Sequence, residues 1–429
     1  MNPDIAYKSR EELAAFQLEQ LKKQLHYVRE HSPYYKESLA SFDPDDLQHL
    51  SDLQHWPLTT KRQLQQKNMD FLCVEREKVI DYITTSGTTG DPLTFAATEG
   101  DLQRLADNEH ASFLCAGGSP ADIYQLMLTL DRRFMAGMAY FLGLRQLGAG
   151  IVRVGPGNVL LQFDTIMRTS PTVLVTVPSF LLKLIEHAEK EGINLAKTSV
   201  RSAVCIGEPI RDPEFRLNKL GRRIKEKWDL KLYSTYASTE MGAAFTECEA
   251  GRGGHLNPAM VAVEFLDEKQ KPVAEGELGE VCITSLGVEG MPLVRFLTGD
   301  ICRHHVESCS CGRNTLRLGP IVGRKNQMIK YKGTTLFPTA FYEILSASTE
   351  VDSYIVVVST NSIDTDDIEV LISSPQASPE LEKRIKDQCR ARLRVAPSIR
   401  FLPSKELKLM QYPDLKRKPV TFIDRRKAK

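Results

Sequence analysis

The most informative stretch of the sequence is a short loop, Thr84-Thr85-Ser86-Gly87-Thr88-Thr89-Gly90-Asp91-Pro92, which directly follows the apolar-leaning residues 79–83. Glycine lets backbone N–H groups turn toward a bound anion, and clustered hydroxyl groups add further donors. This composition suits a polyphosphate. The loop lacks the Lys-Ser/Thr ending of a Walker A motif, so it is not an ordinary P-loop. A surface loop rich in Ser, Thr and Gly is the alternative interpretation.

The composition is that of a globular protein with more than one domain. The chain has 429 residues, of which 42% are hydrophobic and 26% charged, and two or three domains are expected at this length. The net charge of +1 gives no reason to expect nucleic acid or an anionic membrane as a partner. No apolar run approaches the ~20 residues that span a bilayer, and the first residues do not form a secretory signal. We therefore expect a cytoplasmic protein.

Apolar runs and amphipathic stretches alternate after the loop. We predict strands at 123–128, 172–177 and 202–206, and helices at 135–147, at 178 to about 191, and after Pro213 to about Trp228. An amphipathic helix is expected earlier, within residues 11–29. This alternation predicts a layered α/β domain with mixed sheets.

The pattern changes after about Gly253. Short runs at 261–266, 278–284 and 292–296 predict an antiparallel β subdomain. A third region starts near Gly323, with predicted strands at 327–332, 354–358 and 368–372 and helices after Pro338 and at 379–393. We predict an N-terminal domain of residues 1–322 and a small, mobile α+β lid of residues 323–429, with a hinge at 324–327.

Four further segments follow the first loop in a fixed order. They are Ile206-Gly207-Glu208-Pro209, Tyr233-Ser234-Thr235-Tyr236-Ala237-Ser238-Thr239-Glu240-Met241-Gly242, Leu297-Thr298-Gly299-Asp300 and Gly323-Arg324-Lys325-Asn326-Gln327-Met328-Ile329, with Lys416-Arg417-Lys418-Pro419 near the end. Together they resemble the adenylate-forming enzymes, most closely the phenylacetate–coenzyme A ligase branch. The resemblance runs from about Tyr34 to Arg426. Each match alone is unspecific, and the strength lies in their order and spacing.

The resemblance implies an AMP-forming acyl- or aryl–coenzyme A ligase. Such an enzyme joins a carboxylic acid to the AMP part of ATP and then transfers the acyl group to the thiol of coenzyme A. Positioning and neutralisation of charge at phosphorus supply most of the catalysis. Small carboxylic acid, ATP and coenzyme A are thus the implied partners, with Mg²⁺ as the ion at the phosphates. A homodimer is also implied, as relatives in this branch are commonly dimers.

The resemblance assigns the nucleotide site residue by residue. The β- and γ-phosphates would be held by Thr85, Ser86, Gly87, Thr88, Thr89 and Gly90. Thr239 would also contact the nucleotide, and the catalytic Glu240 beside it would place Mg²⁺. Tyr236 would stack on adenine, with Ala237 and Ser238 beside it and Gly207, Glu208 and Pro209 on the other side of the base. Asp300 would accept hydrogen bonds from the ribose, assisted by Arg324.

The lid would supply the catalytic lysine. Lys418 fits the family spacing to a following Val-x-Asp-like pattern, and its ammonium group would stabilise the displacement at the α-phosphate. Lys416 is the alternative catalytic lysine. The segment could also be a solvated basic tail with no catalytic role. Rotation about the hinge would open the route for a thiol. In that second arrangement, Lys332 and Gly333 would approach the coenzyme A entrance.

The chain departs from the family beside the first loop. Relatives usually have a lysine before or after the proline, where this chain has Asp91 and Leu93. An anion near a triphosphate costs a few kcal/mol at an effective dielectric of about 20. Arg104 is a cation that could compensate, and Asp91 could instead point away. Asn326 and Gln327 also replace the family's hinge aspartates, and Ala237 replaces a usual glycine.

A cysteine and histidine cluster is a second candidate site. Cys309 and Cys311 form a Cys-x-Cys pair, and a Gly-rich segment upstream supplies Cys248 and His255. Three thiolates and one imidazole make a closed tetrahedral zinc site, which predicts a structural Zn²⁺. Some relatives in the resembled branch carry a similar pattern. Cys302, His304 and His305 are alternative ligands, and four unrelated residues are the structural alternative.

The acyl pocket is expected in the segment after the 123–128 strand. Its candidate residues are Arg133, Phe134, Ala136, Gly137 and Phe141. The charged Asp131-Arg132-Arg133 run would suit a polar or dicarboxylic acid, or would simply face solvent. Two other functions remain open: an adenylating enzyme that loads a carrier protein, and a nucleotide-binding relative that has lost turnover.

Overall fold

The computed structural model of the protein describes residues 3–85, 93–331, 334–360, 366–413 and 419–426. The chain divides into two compact units. The first contains residues 1–298 and 302–321, and the second contains residues 299–301 and 322–429. None of the described helices is both long and apolar enough to cross a membrane.

The helices of the first unit begin at recognisable caps. Ser9 and Glu12 form a capping box at the first long helix, and Thr98 and Asp101 do the same at the helix that precedes the parallel strands. The α-helices are α1 (Arg10–His31), α2 (Pro33–Ser38), α3 (Lys61–Gln66), α4 (Glu99–Cys115), α5 (Met135–Leu147), α6 (Val159–Thr169), α7 (Pro178–Glu191) and α8 (Lys219–Lys227). Short 3₁₀ helices lie at Pro3–Tyr7, Pro44–Asp46, Leu50–His55, Asn68–Phe71, Arg76–Lys78 and Leu195–Lys197.

The strands of the first unit form a two-stranded hairpin and one long mixed sheet. The hairpin consists of β1 (Asp81–Thr84) and β2 (Thr94–Ala97). The sheet contains β3 (Ile123–Leu126), β4 (Gly150–Arg153), β5 (Val173–Thr176), β6 (Ser202–Ile206), β7 (Lys231–Ser238), β8 (Ala243–Glu247), β9 (Gly254–His255), β10 (Val261–Leu266), β11 (Leu278–Ser285), β12 (Phe296–His305) and β13 (Arg317–Leu318).

The sheet order explains where functional loops meet. Strands run β10-β11-β12-β13-β9-β8-β7-β6-β5-β3-β4, parallel from β4 to β7 and antiparallel at β7–β8–β9. The parallel strands carry helices as crossovers, and their carboxyl ends lie at one edge, where α/β proteins bind ligands. The loops after β6 and β7 are therefore neighbours.

The second unit has a small sheet of its own. Its elements are β14 (Gly323–Arg324), a 3₁₀ turn (Lys325–Gln327), β15 (Ile329–Tyr331), β16 (Thr334–Leu336), α9 (Pro338–Leu345), β17 (Ser353–Thr360), β18 (Asp366–Ser373), α10 (Pro379–Leu393), β19 (Ser398–Phe401), α11 (Ser404–Gln411) and β20 (Phe422–Asp424). The four-stranded sheet runs β19-β18-β17-β20. A buried apolar cluster that includes Phe341, Val356 and Ile385 lies between this sheet and its helices. The predicted α/β class, with a mixed sheet and a small C-terminal sheet, is confirmed.

Two predicted elements are wrong. The helix expected after Pro213 begins only at Lys219, because Asn218 caps it and the preceding residues form a turn with Phe215 at φ +64°. The strand expected at 292–296 begins at Phe296 instead. Arg295 has φ +45°, and this left-handed conformation interrupts the extended chain.

Candidate functional site

Glu240 lies in a tight turn after β7. The N–H of Gly242 donates to the carbonyls of Ser238 and Thr239 at 3.2 and 3.3 Å, and the N–H of Met241 donates to the Ser238 hydroxyl at 3.3 Å. The turn therefore uses the Ser238 hydroxyl, which the resemblance had placed beside the nucleotide, to hold its own backbone. Glu240 remains half-exposed at the edge of the sheet.

A small cavity joins the Glu240 turn to the hairpin that precedes the Ser/Thr/Gly loop. The cavity has a volume of about 40 Å³, and its walls include Ile83 of β1, Met135 at the start of α5, Thr239 and Glu240. The end of β1 and the Thr-Glu pair thus line one cavity within the first unit. The assignment of residues 85–90 and Glu240 to a phosphate and Mg²⁺ site stays a prediction.

Thr85 and Leu93, the described residues on either side of that loop, are hydrogen-bonded to each other. The N–H of Thr85 donates to the Leu93 carbonyl at 3.0 Å, and its hydroxyl oxygen accepts from the Leu93 N–H at 3.0 Å. The N–H of Thr84 donates to the Arg133 carbonyl at 3.0 Å, which places the segment predicted to line the acyl pocket beside the end of β1. Leu93 itself is buried at 2% exposure, so this family lysine position is part of the core here. Ser86, Gly87, Thr88, Thr89, Gly90 and Asp91 lie outside the described residues.

Arg104 holds the Glu240 turn from the side of α4. Its Nη1 donates to the Gly242 carbonyl and its Nε to the Leu286 carbonyl, both at 2.7 Å, and its Nη2 donates to the Met260 carbonyl. Burial lowers the pKa of Arg104 to about 10. The guanidinium group is thus occupied by backbone carbonyls, and the suggestion that Arg104 compensates for Asp91 is not supported by its contacts.

The segments predicted to enclose adenine are neighbours at the sheet edge. Strands β6 and β7 pair in parallel with Ile206 opposite Thr235, so that Gly207 follows beside Tyr236. The Tyr236 ring is half-buried, 6.0 Å from the Phe245 ring centroid, and Ala237 beside it is exposed. Gly207 has φ +72°, which favours glycine.

Glu208 has a structural role in this segment. Its carboxylate accepts hydrogen bonds from the N–H of Ser179 at 2.8 Å and from the Ser179 hydroxyl at 2.9 Å. Ser179 lies in the first turn of α7, whose N-cap residue makes no side-chain cap bond. The carboxylate therefore satisfies donors at a helix N-terminus. The carbonyl of Pro209 accepts from Asn218 Nδ2 at 2.8 Å.

The predicted ribose pair is an ion pair of the second unit. Arg324 Nε donates to Asp300 Oδ1 at 3.2 Å, and the two residues are direct partners in the antiparallel pairing of β12 with β14. Asp300 is buried at 8% exposure, whereas Arg324 is exposed. The following turn is tied to the end of the chain, because Arg426 donates to the carbonyls of Asn326 and Met328 at 3.2 and 2.7 Å.

The segment predicted to line the acyl pocket leads from the end of β3 at Leu126 into α5, which begins at Met135. Arg132 and Arg133 both have left-handed backbones, at φ 59° and 58°, and both side chains are exposed. Phe134, Ala136 and Phe141 are partly buried against one apolar cluster. Gly137 packs on the Thr129 carbonyl, where an added Cβ would lie only 2.1 Å away. Gly137 therefore allows α5 to pack closely and contributes no side chain to a pocket.

The four predicted zinc ligands lie together in the first unit. The ligand atoms of Cys248, His255, Cys309 and Cys311 are all within 4.8 Å of one another. The Sγ atoms of Cys248 and Cys309 are 3.6 Å apart, and Cys311 Sγ lies 3.5 Å from His255 Nε2. Strands β9 and β13 pair and bring the two halves of the group together.

The surroundings of the cluster suit a bound cation. His255 Nδ1 contacts the Thr315 hydroxyl at 3.1 Å, which leaves Nε2 toward the cysteines. Burial, with Arg313 and Arg317 nearby, lowers the pKa of His255 to about 3, so the imidazole is neutral. Burial opposes ionisation of Cys311, but hydrogen bonds from Arg313 hold its pKa below the ordinary value. A neutral imidazole and a stabilised Cys311 thiolate are forms that bind zinc, whereas burial raises the pKa of Cys248 to about 12.

The alternative ligands lie elsewhere. Cys302 is fully buried in the main apolar core of the first unit, and the His304 ring stacks on Phe265 with centroids 4.2 Å apart. The ring of His305 lies near the carboxylates of the exposed Glu275 and Glu307, with possible ligand atoms within 4.8 Å of one another. A fifth thiol was missed: Cys115, at the end of α4, packs against Cys248 and Cys309 and donates to the Thr246 carbonyl at 3.3 Å.

A buried ion pair connects the two candidate sites. Arg211 Nε donates to both carboxylate oxygens of Glu247 at 2.8 and 2.9 Å, and Glu247 also accepts from the N–H of Ser234 on β7 at 3.1 Å. Glu247 directly precedes Cys248. This pair was missed because its residues are 36 positions apart and follow no local pattern. The residues predicted to bind coenzyme A, Lys332 and Gly333, and the predicted catalytic lysine Lys418 with its alternative Lys416 lie outside the described residues.

Comparison with known proteins gives consistent matches. A family model described as AMP-binding enzyme matches residues 9–290. The phenylacetate-coenzyme A ligase of Thermus thermophilus is 31% identical over 382 residues, which are 87% of this chain and 84% of the relative. The phenylacetate-coenzyme A ligase of Escherichia coli is 29% identical over 345 residues, covering 78% and 76%.

Solved structures match over nearly the whole chain. 2-Hydroxyisobutyryl-CoA ligase in its postadenylation state, in complex with 2-HIB-AMP, has a TM-score of 0.83 at 21% identity and covers 98% of this chain and 91% of its own. The same ligase with 2-HIB-AMP and CoA in the thioesterification state has a TM-score of 0.71 at 21% identity, with coverage of 99% and 92%. At this identity the structures show a shared fold.

Proposed function

This chain belongs to the family of AMP-binding enzymes, and we propose that it is an AMP-forming acid–thiol ligase related to phenylacetate–coenzyme A ligase. In the first half-reaction, a carboxylate oxygen of the acid attacks the α-phosphorus of ATP, and pyrophosphate leaves. In the second, the sulfur of coenzyme A attacks the acyl carbon, and AMP leaves. The match over 87% of the chain to a curated phenylacetate-coenzyme A ligase is the observation that carries this proposal.

The nucleotide would bind at the carboxyl edge of the parallel strands. The half-buried Tyr236 ring offers a stacking face for adenine beside the Gly207 backbone. Glu240 shares a cavity with the strand that leads into the Ser/Thr/Gly loop, and this supports phosphate binding by residues 85–90. Asp300, held by Arg324, would accept from the ribose hydroxyls, and Lys418 would stabilise charge at the α-phosphate.

The ion expected at the phosphates is Mg²⁺. A half-exposed carboxylate on a rigid turn fits its preference for oxygen ligands, and Glu240 would hold it with the phosphate oxygens. When bound, the ion neutralises charge on the phosphates. Glu240 would supply the protein carboxylate, and substrate phosphates and water would complete the coordination, as is typical of Mg²⁺ sites.

The second ion is a structural Zn²⁺ at Cys248, His255, Cys309 and Cys311. The donor set fits the metal, because three sulfur atoms and one imidazole nitrogen converge within 4.8 Å. Four protein ligands leave no position for a substrate. The centre would therefore stabilise the junction of β9, β13 and the loop after β8 rather than take part in the reaction.

The acid would enter beside Phe134, whose ring and that of Phe141 border the start of α5 with Ala136. An aryl or acyl chain suits these apolar contacts, and the exposed Arg133 would favour acids with a second polar group. Lys332 and Gly333 would lie near coenzyme A. A cytoplasmic location and a dimer complete the proposal, and transfer to a carrier protein is the alternative to coenzyme A.

Carboxylate-dependent exchange of labelled pyrophosphate into ATP tests the first half-reaction across aryl, fatty and dicarboxylic acids. We expect exchange with at least one acid, followed by thioester formation with free coenzyme A. If ATP binds and no acid supports exchange, the ligase proposal fails. If exchange occurs but only a carrier-protein phosphopantetheine accepts the acyl group, the acceptor is wrong and the adenylation chemistry stands.

A further inference from the structure

The turn that carries Cys309 and Cys311 is also held by the start of the described chain. The N–H of Asn314 donates to the Ala6 carbonyl at 2.9 Å, and its side-chain Nδ2 donates to the Lys8 carbonyl at 3.1 Å. These residues are more than 300 positions apart in sequence. Residues 6–8 therefore pack on the cysteine turn through specific backbone contacts.

Side chains continue this contact to a sulfur atom. The Arg313 guanidinium lies over the Tyr7 ring, with its Cζ 5.2 Å from the ring centroid. The same group donates from Nη1 to Cys311 Sγ at 3.5 Å. Gly312 between them has φ +87°, and an added Cβ would lie 3.6 Å from the Tyr7 ring. The ring thus covers a turn whose geometry favours glycine.

The charge of a zinc-loaded cluster would be balanced by the contact between Arg313 and Cys311. Three thiolates and one neutral imidazole around Zn²⁺ leave one net negative charge, and the Arg313 guanidinium is a cation in direct contact with one of the thiolates. A cation held over an aromatic face loses orientational freedom and is shielded from water. Outer-shell groups of this kind commonly change metal affinity by about 10–100-fold.

We propose that residues 6–8 are part of the metal centre: Tyr7 holds Arg313 against the Cys311 thiolate, and the segment slows release of the metal. This inference rests on the proposed zinc site. If the segment stabilises bound metal, then bound metal must stabilise the docked segment by the same free energy, because coupling between two binding events is reciprocal. Loss of the metal should therefore make the peptide bonds after Lys8 and Arg10 accessible to a protease. Both side chains are exposed; Lys8 precedes α1, and Arg10 is its first residue.

The first test measures zinc release from the full-length protein to an excess of chelator with a colorimetric zinc indicator. Tyr7→Ala should release zinc about tenfold faster than the wild type. Tyr7→Phe keeps the aromatic face and should release it at the wild-type rate. Arg313→Gln should release faster as well, and the Co²⁺-substituted variants should keep the absorption of a tetrahedral thiolate site.

The second test is limited trypsin digestion with and without removal of the metal. Cleavage after Lys8 or Arg10 should accelerate about tenfold in the stripped protein, while cleavage after the exposed Lys190 on α7 reports any general opening. A protein that contains and binds no zinc would overturn both the centre and this inference. If zinc is bound, but Tyr7→Ala releases it at the wild-type rate and stripping leaves cleavage unchanged, the inference alone is overturned.

Discussion

Arg104 Nη1 donates to the carbonyl of Gly242 at 2.7 Å, and this bond joins α4 to the turn that presents Glu240. The same guanidinium reaches the carbonyls of Met260 and Leu286, so one buried cation ties three separate loops together. Charge-assisted bonds to carbonyl oxygens are stronger than neutral ones. The position of Glu240 therefore depends on a side chain 136 residues earlier in the sequence.

We expect Arg104→Met to be strongly destabilising. It keeps the apolar stem and leaves two buried carbonyls and one partly buried carbonyl without their donor, at a cost of about 3 kcal/mol in the free energy of unfolding. Urea denaturation followed by fluorescence measures this loss. Arg62→Met, at an exposed position of α3, is the matched control. A loss below about 0.5 kcal/mol for Arg104→Met would show that the three bonds contribute little.

Glu208→Ala separates capping from nucleotide binding. Because the carboxylate bonds to Ser179 at the start of α7, we expect a loss of about 1–2 kcal/mol in stability and a KM for ATP within about twofold of the wild type. Glu226→Ala, on the exposed side of α8, should change neither quantity. A large rise in the KM for ATP at unchanged stability would instead assign the side chain to the base.

Glu109 should make stability depend on pH. Burial raises the pKa of this α4 carboxyl to about 8, and the Asn108 amide only partly opposes this. The folded state thus keeps a proton that the unfolded chain releases near 4.5. Stability should fall as pH rises between these values, by up to about 1.4 kcal/mol per pH unit.

Glu109→Gln should remove that dependence. The amide is neutral at every pH, so the variant should unfold at a higher temperature than the wild type near pH 8, and the difference should shrink toward pH 5. Thermal unfolding at a series of pH values measures it. Glu186→Gln, at an exposed site on α7, is the control. Curves for wild type and Glu109→Gln that stay parallel would contradict a protonated Glu109.

Glu240→Gln tests the ion-placing carboxylate. The amide keeps the size of the side chain and loses the negative charge, so we expect pyrophosphate exchange to fall by about 10²–10³-fold. Higher Mg²⁺ should restore part of the lost rate. The neighbouring Ser238→Ala should mainly weaken the turn, since its hydroxyl serves the Met241 N–H. Full exchange activity in Glu240→Gln would remove Glu240 from the site.

Helices with readable ends were predicted closely from the sequence. Pro178 and Gly192 bound α7, and Ser378 and Pro379 start α10, because such residues satisfy helix ends by local chemistry. The predicted start of the helix after Pro213 was wrong, because the local signal at this proline does not mark a helix end. A proline is a good first residue, but Asp212 and Arg216 close a local turn there, and the true cap is Asn218.

The candidate sites divide in the same way. Cys248 and His255 could be chosen in advance because thiols and imidazoles carry their chemistry in the side chain itself. The bonds of Arg104 to the Glu240 turn and the Arg211–Glu247 pair could not be predicted. An arginine that donates to a carbonyl 138 positions away leaves no signal in the local sequence. Tertiary contacts that hold a site are thus visible only in the folded chain.

The two lysines near the end of the chain can be separated by paired variants. Gln411 and Val420, which flank them in sequence, are joined by a backbone hydrogen bond of 2.7 Å, and the N–H of Val356 donates to the Thr421 carbonyl at 2.9 Å. The first contact joins the two flanks to each other, and the second anchors the C-terminal flank to β17 of the small sheet. The family spacing predicts that Lys418 is the group that stabilises charge at the α-phosphate.

We expect Lys418→Ala to lower pyrophosphate exchange by about 10²–10³-fold while the affinity for ATP changes little, because the lost charge acts on the transition state. Lys416→Ala is the matched control, with the same loss of charge two residues away, and should keep most of the activity. Exchange rates and nucleotide titration measure the two quantities. If Lys416→Ala is the inactive variant, the register of the segment is shifted by two residues, and Lys416 is the catalytic lysine.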